Sequence, residues 1–86
     1  MEIKRKAKAG TMQSSDLMVF VEPFHELKIE IESTVKKQFE DLIRERVMDV
    51  LKRLNVEKGY FKISDRGALD YSIEARVETA VRRGAE

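Results

Sequence analysis

The sequence predicts an α+β two-layer sandwich: a three-stranded antiparallel sheet with two helices on one face, in the order β-β-α-β-α. Three observations point to it. Residues 27–32, LKIEIE, alternate strictly between apolar and charged, the period of a half-buried strand. Between Val35 and Leu54 the apolar residues change to steps of three and four, the stripe of a long amphipathic helix. Beyond Gly59 a short β-rich run, YFKIS, is followed by a second helical stripe. At 86 residues the chain supports one core and therefore one domain, 1–86.

The elements follow in order. Residues 1–10, MEIKRKAKAG, carry Lys4, Arg5, Lys6 and Lys8 with only Ile3 as a bulky apolar anchor, and read as a flexible basic N-terminal arm. Thr11 to Asp16 cluster as a loop. LMVFV, 17–21, is a strand too short and too rich in β-formers for a helix. Pro23 turns the chain, so a hairpin is expected between this strand and LKIEIE, with Leu27, Ile29 and Ile31 on the core side. Along the long helix, Val35, Phe39, Leu42, Ile43, Val47, Val50, Leu51 and Leu54 form the buried stripe. Ser33 or Thr34 is the expected N-cap, Glu40–Arg44 and Asp49–Arg53 the expected i,i+4 ion pairs, and Asn55 the stop. In YFKIS, Phe61 and Ile63 face the core. Asp65-Arg66-Gly67 makes a turn. Leu69, Ile73, Val77, Ala80 and Val81 then mark a second helix from about Ala68 to Arg83. The third strand beside the first would make every neighbouring pair antiparallel.

Composition excludes several classes of function. Seventeen basic and sixteen acidic residues leave a formal charge of +1, without the basic excess of a dedicated nucleic-acid binder. No cysteine means no disulfide, no thiolate metal site and no cysteine nucleophile. A single histidine, His25, makes no metal cluster. No apolar run reaches membrane-spanning length and the N-terminal stretch lacks a secretory apolar core, so the expected location is the cytoplasm, without a membrane partner.

Residues with chemical potential mostly have plain roles. His25 sits in a polar turn without an orienting partner. Asp65 reads as a turn-former and Asp70 as a first-turn helix residue favoured by the dipole. Ser33, Thr34, Ser64 and Ser72 have no base supplied by sequence, and no glycine-rich phosphate loop is present. The loop from Ala9 to Val19 stands apart. It is built of small residues with two hydroxyls, Ser14 and Ser15, and suits modification by another enzyme, because a hydroxyl must leave the surface to enter a transferase site.

Four segments carry a resemblance. AGTMQSSDLMV at 9–19, the run from Ser33 to Phe39, DRGALD at 65–70 and ARVETAV at 75–81 together resemble the acyl carrier protein (γ subunit) of citrate lyase, in order and over nearly the whole chain. Gln13, where relatives often have an acidic residue, and the short stretch after Arg82-Arg83 depart from that pattern. The resemblance implies that Ser14 is the covalent attachment point of a phosphodiester-linked prosthetic group, 2'-(5''-phosphoribosyl)-3'-dephospho-CoA. It implies a non-catalytic subunit that carries acetyl and citryl thioesters between the α and β subunits of citrate lyase while citrate is cleaved to acetate and oxaloacetate. The implied partners are those two subunits, the prosthetic-group transferase and an acetylating ligase. A citramalate lyase carrier fits equally well within the class. From a different class, the residues alone also allow a small α+β interaction or RNA-binding module using the basic arm. The period of two in the first strand places Met18 and Phe20 on the face away from the helices, an apolar island expected to dock on a partner.

Overall fold

The structure is a computed structural model that describes residues 1–34 and 37–86. Four strands and two helices follow one another as β1 (Ala7–Gly10), β2 (Leu17–Glu22), β3 (Leu27–Ser33), α1 (Gln38–Arg53), β4 (Gly59–Asp65) and α2 (Asp70–Ala85). The α+β class and the single layer of helices stand. The sheet is different: it has four strands in the order β1-β2-β4-β3, with β1–β2 and β2–β4 antiparallel but β3–β4 parallel.

Two physical reasons account for the difference. A 16-residue helix is about 24 Å long, so α1 carries the chain back to the end where β3 began, and β4 leaves parallel to it. β4 then lies between β2 and β3, so the expected hairpin around Pro23 does not form; residues 23–26 bend across the sheet end, where the Gly59 N–H donates to the Glu26 carbonyl at 3.0 Å. The extra strand comes from the arm. Ala7 and Ala9 alternate with Lys8 and Gly10, and Ala9 is buried against the helices while Lys8 faces water. Lysine on an exposed edge also discourages pairing with another chain. The arm is therefore docked on the fold. Ile3 is buried, and the N–H groups of Lys4 and Arg5 donate to the Gly84 carbonyl at 2.8 and 3.1 Å. Gly84 permits this close approach, since a Cβ there would lie 3.2 Å from Val21 and 3.3 Å from the Arg5 carbonyl.

The core lies between the sheet and the two helices. Leu17, Val19, Phe61 and Ile63 from the sheet, Val47 and Leu51 from α1, and Val77 and Val81 from α2 are wholly buried. Each large side chain so buried contributes about 1.5–3 kcal/mol of transfer free energy. Leu27, Ile29 and Ile31 face the same side but are only half-buried, because β3 is an edge strand covered by α1 alone. On the opposite face Ser64, expected to be wet, is buried between its cross-strand neighbours Met18 and Glu32.

In α1 the stripe is correct from Ile43 onward and wrong at Phe39 and Leu42. Phe39 is 43% exposed and Leu42 58%, because the first turn stands off from the 65–70 turn and the two side chains line an apolar hollow there rather than the core. Val35 lies outside the described residues. Ser33 is the last residue of β3 and donates its hydroxyl to Asp65 Oδ2 at 2.9 Å instead of capping α1, whose first residue follows Lys37. The expected pairs within α1 are replaced by longer reaches: Arg44 donates to the Ile29 carbonyl at 2.9 Å, and Arg53 meets Glu78 on α2 at 3.1 Å. Arg46 likewise joins α1 to Asp70 and Glu74. Leu69, the first residue of the expected second stripe, is exposed just before α2, whereas Ile73, Val77, Ala80 and Val81 are buried as the spacing predicts. No helix of the described residues is long and apolar enough to cross a membrane.

Candidate functional site

The β1–β2 hairpin presents Ser14. Gly10 opens the turn with φ +102°, and a Cβ there would lie 1.9 Å from the Leu17 carbonyl oxygen, so only glycine lets the two strands close this tightly. Thr11 N–H donates to the Leu17 carbonyl at 3.1 Å, and Gln13 N–H to Thr11 Oγ1 at 3.2 Å. A turn then runs from Gln13 to Asp16, closed by the Asp16 N–H on the Gln13 carbonyl at 3.2 Å, with Ser14 and Ser15 at its centre. Ser15 takes a left-handed backbone, φ +64°.

Two other parts of the chain hold this turn from below. The 65–67 turn exchanges backbone hydrogen bonds with it: Ser15 N–H donates to the Arg66 carbonyl, and Arg66 N–H to the Asp16 carbonyl, each at 2.8 Å. Asp65 shapes that second turn, accepting from Gly67 and Ala68 N–H at 3.1 and 3.0 Å as well as from Ser33. From α2, Arg76 donates to both oxygens of Asp16, Nε to Oδ1 at 3.2 Å and Nη2 to Oδ2 at 3.0 Å. Thr11 Oγ1 donates to Asp16 Oδ2 at 2.6 Å, and the Leu17 N–H to Oδ1 at 2.8 Å. The Thr11 hydroxyl, then Arg76 and the Leu17 amide, hold the Asp16 carboxyl below its ordinary value of 3.8 against the opposing effect of burial. The result is a hydrogen-bonded pedestal with an exposed serine at its tip.

The other sequence candidates lie elsewhere or do structural work. His25 is exposed at the opposite end of the sheet, 3.3 Å from Glu26 and against the Phe24 ring. Asp65 and Asp70 do not come together as a catalytic pair: one is buried in its turn, and the other is exposed and joined to Arg46. A hollow of about 640 Å³ is lined by Met1, Phe24, Asn55 and Lys58 near the start of β4, the end of the sheet away from Ser14, and brings no chemistry to the serine. Among the described residues no three His, Cys, Asp or Glu side chains are placed to hold a metal.

Known proteins can now be set beside this geometry. A family model for acyl carriers, described as malonate decarboxylase delta subunit (MdcD), matches residues 4–84. The citrate lyase acyl carrier protein of Halothermothrix orenii is 45% identical over 87 residues, covering 100% of this chain and 93% of that one. The chain belongs to the citrate lyase acyl carrier protein family. Members from Clostridium perfringens and Enterobacter sp. are 50% and 51% identical, each over 100% of this chain and over 87% and 90% of their own. Two solved structures share the fold. A chain of a Pseudomonas malonate decarboxylase hetero-tetramer in complex with malonate superposes with TM-score 0.74 at 23% identity, over 94% of this chain and 84% of that one. A Thermus thermophilus protein superposes with TM-score 0.72 at 15% identity, over 96% of this chain but 16% of its own.

In this acyl carrier, three of the four segments that carried the resemblance are neighbours in space. Loop 9–19, turn 65–67 and Arg76 in ARVETAV build one pedestal. Sequence reasoning missed Arg76 and the role of Thr11 and Asp16. One signal was available: an aspartate at the mouth of an apolar strand needs a cation or donors when partly buried.

Proposed function

We propose that this acyl carrier holds acetyl and citryl groups as thioesters on 2'-(5''-phosphoribosyl)-3'-dephospho-CoA, joined by a phosphodiester to Ser14 Oγ. The single observation that carries the reading is the exposed Ser14 on a clamped turn in a chain of this family. The residues present fit the group. Small neighbours at Gly10, Thr11 and Ser15 leave the hydroxyl open to a transferase. Asp16, which would otherwise repel a phosphodiester two residues away, is neutralised by the Arg76 guanidinium. When bound, the group supplies the thiol that the cysteine-free chain lacks. The chain's own part is to hold the attachment point still while the arm swings, which keeps the cargo at high effective concentration near the partner sites. Those partners are the α and β subunits of citrate lyase, with a transferase and an acetylating ligase serving Ser14. The chain itself does no catalysis in this reading.

Intact mass of the protein purified from its native host tests the proposal. The expected result is the increment of the prosthetic group, mapped by peptide analysis to Ser14. Modification on Ser15, or on neither serine, would overturn it.

A further inference from the structure

The helices cover one face of the sheet and leave the other open. Cross-strand register places Lys8, Phe20 and Lys62 in one row on that open face, with Phe20 between the two lysines. Phe20 is 42% exposed, unusual for a phenylalanine in mid-strand. One position along, Tyr60 stands beside it, its ring fixed by a hydroxyl hydrogen bond to Glu30. The two rings, with Lys6, Glu22 and Lys62, line a shallow hollow of about 240 Å³. The acidic groups on this face are already engaged: Glu22 with Lys6, Glu30, in register beside Lys62, with Tyr60 and Lys28, and Glu32 with Arg66 at 4.0 Å. Lys8 and Lys62 form no ion pair within 4.0 Å among the described residues, although Lys62 acts electrostatically on the Glu30 carboxyl beside it, so the row keeps two exposed ammonium groups astride an exposed aromatic ring.

An aromatic ring flanked by exposed ammonium groups suits a ligand that is itself flat, aromatic and anionic. The ring stacks on the phenyl face, and phosphate oxygens take the lysines. We propose that this open face seats an adenine nucleotide, and that its occupant is the nucleotide portion of the Ser14-linked group, which makes the inference rest on the reading above. Reach is consistent: Phe20 is three residues from the start of β2, about 10 Å along the strand from the turn that carries Ser14. Seating the nucleotide here turns a freely rotating tether into one that leaves the domain in a set direction, with the thiol end free to visit partner sites.

The test uses the full-length Ser14→Ala protein, which cannot be loaded, and free 3'-dephospho-CoA as the probe, followed by amide NMR shifts. Saturable shifts at Lys8, Phe20, Tyr60 and Lys62 are expected. Phe20→Ala should weaken binding at least about fivefold and Phe20→Tyr should restore it. Lys8→Gln with Lys62→Gln should weaken it and flatten its salt dependence. Pantetheine, which lacks the nucleotide, should leave these amides unmoved. No shifts, shifts centred elsewhere, equal shifts with pantetheine, an unchanged Phe20→Ala, or far tighter binding of an oligoribonucleotide would each overturn the proposal. The outcome is separate from the native-mass result, because the probe is free and Ser14 is absent.

Discussion

Arg76 and Asp16 are sixty residues apart in sequence, yet the guanidinium of one donates to both carboxylate oxygens of the other, at 3.0 and 3.2 Å. That contact fastens the serine turn to α2. The Asp16 side chain is 15% exposed and that of Arg76 41%, so the pair is neither a solvated surface bridge nor a dry one. Arg76→Ala should cost about 1–2 kcal/mol, the range for losing a charged hydrogen-bond partner at a partly buried site. Hydrogen exchange of the 11–16 amides should quicken more than that of β4. Unchanged exchange in the loop would show that Arg76 does not hold it.

Acid should loosen the same turn. Because the folded state holds the Asp16 carboxyl below 3.8, its contribution to stability is complete above that value and disappears as pH falls through the lower folded value. Melting temperature followed downward from pH 5 should therefore fall more steeply in the wild type than in Asp16→Asn, which starts lower and has no proton to take up there. Thr11→Val removes the largest of the influences that lower this carboxyl, and should move its titration, read by NMR at Asp16, upward toward the ordinary value.

Ser14→Ala should abolish loading by the transferase and leave the melting temperature within the small range of a surface change, about 0.5 kcal/mol. Ser15→Ala should still load. A Ser15→Ala protein that folds but cannot be loaded would place the attachment on the wrong hydroxyl.

Legibility followed the range of the interactions. The alternation in 27–32 and 60–63, and the 3.6-residue stripe of α2, are local patterns, and the structure keeps them. β1 escaped notice because its inward residues, Ala7 and Ala9, are too small to signal a core face; they lie where α2 packs against β1. Sheet order escaped because an alternating strand does not state its partner, and β4 separates β2 from β3 only through the long return of α1. At the site, Ser14 was legible through resemblance across four segments. The Asp16–Arg76 clamp was not, since nothing local at either residue names the other.

Leu51 and Phe39 belong to the same predicted stripe and should now behave differently. Leu51 is wholly buried, and its truncation to alanine should cost about 2–5 kcal/mol, enough to unfold much of so small a domain. Phe39, 43% exposed at the rim of an apolar hollow, should cost no more than about 1 kcal/mol on truncation. Chemical denaturation of the two variants side by side checks this; equal losses would mean that the first turn of α1 packs into the core.

Gly10 and Gly67 offer the sharpest contrast between strain and collision. Both have positive φ, +102° and +90°, so alanine at either must adopt a backbone that L-residues avoid, at about 1–2 kcal/mol. At Gly67 nothing lies within 4 Å of the added Cβ, and the cost should stop there. At Gly10 the Cβ would fall 1.9 Å from the Leu17 carbonyl oxygen, which is backbone and cannot rotate away, so the hairpin must spread and give up the Thr11 N–H bond to that same oxygen. Gly10→Ala should therefore destabilise by at least about 2 kcal/mol more than Gly67→Ala, through strain added to a lost buried contact. It should also slow Ser14 loading even at temperatures where the domain remains folded, since the pedestal under the serine has moved. Equal melting temperatures for the two variants would show that the turn tolerates spreading and that Ser14 does not depend on the tight closure of β1 on β2.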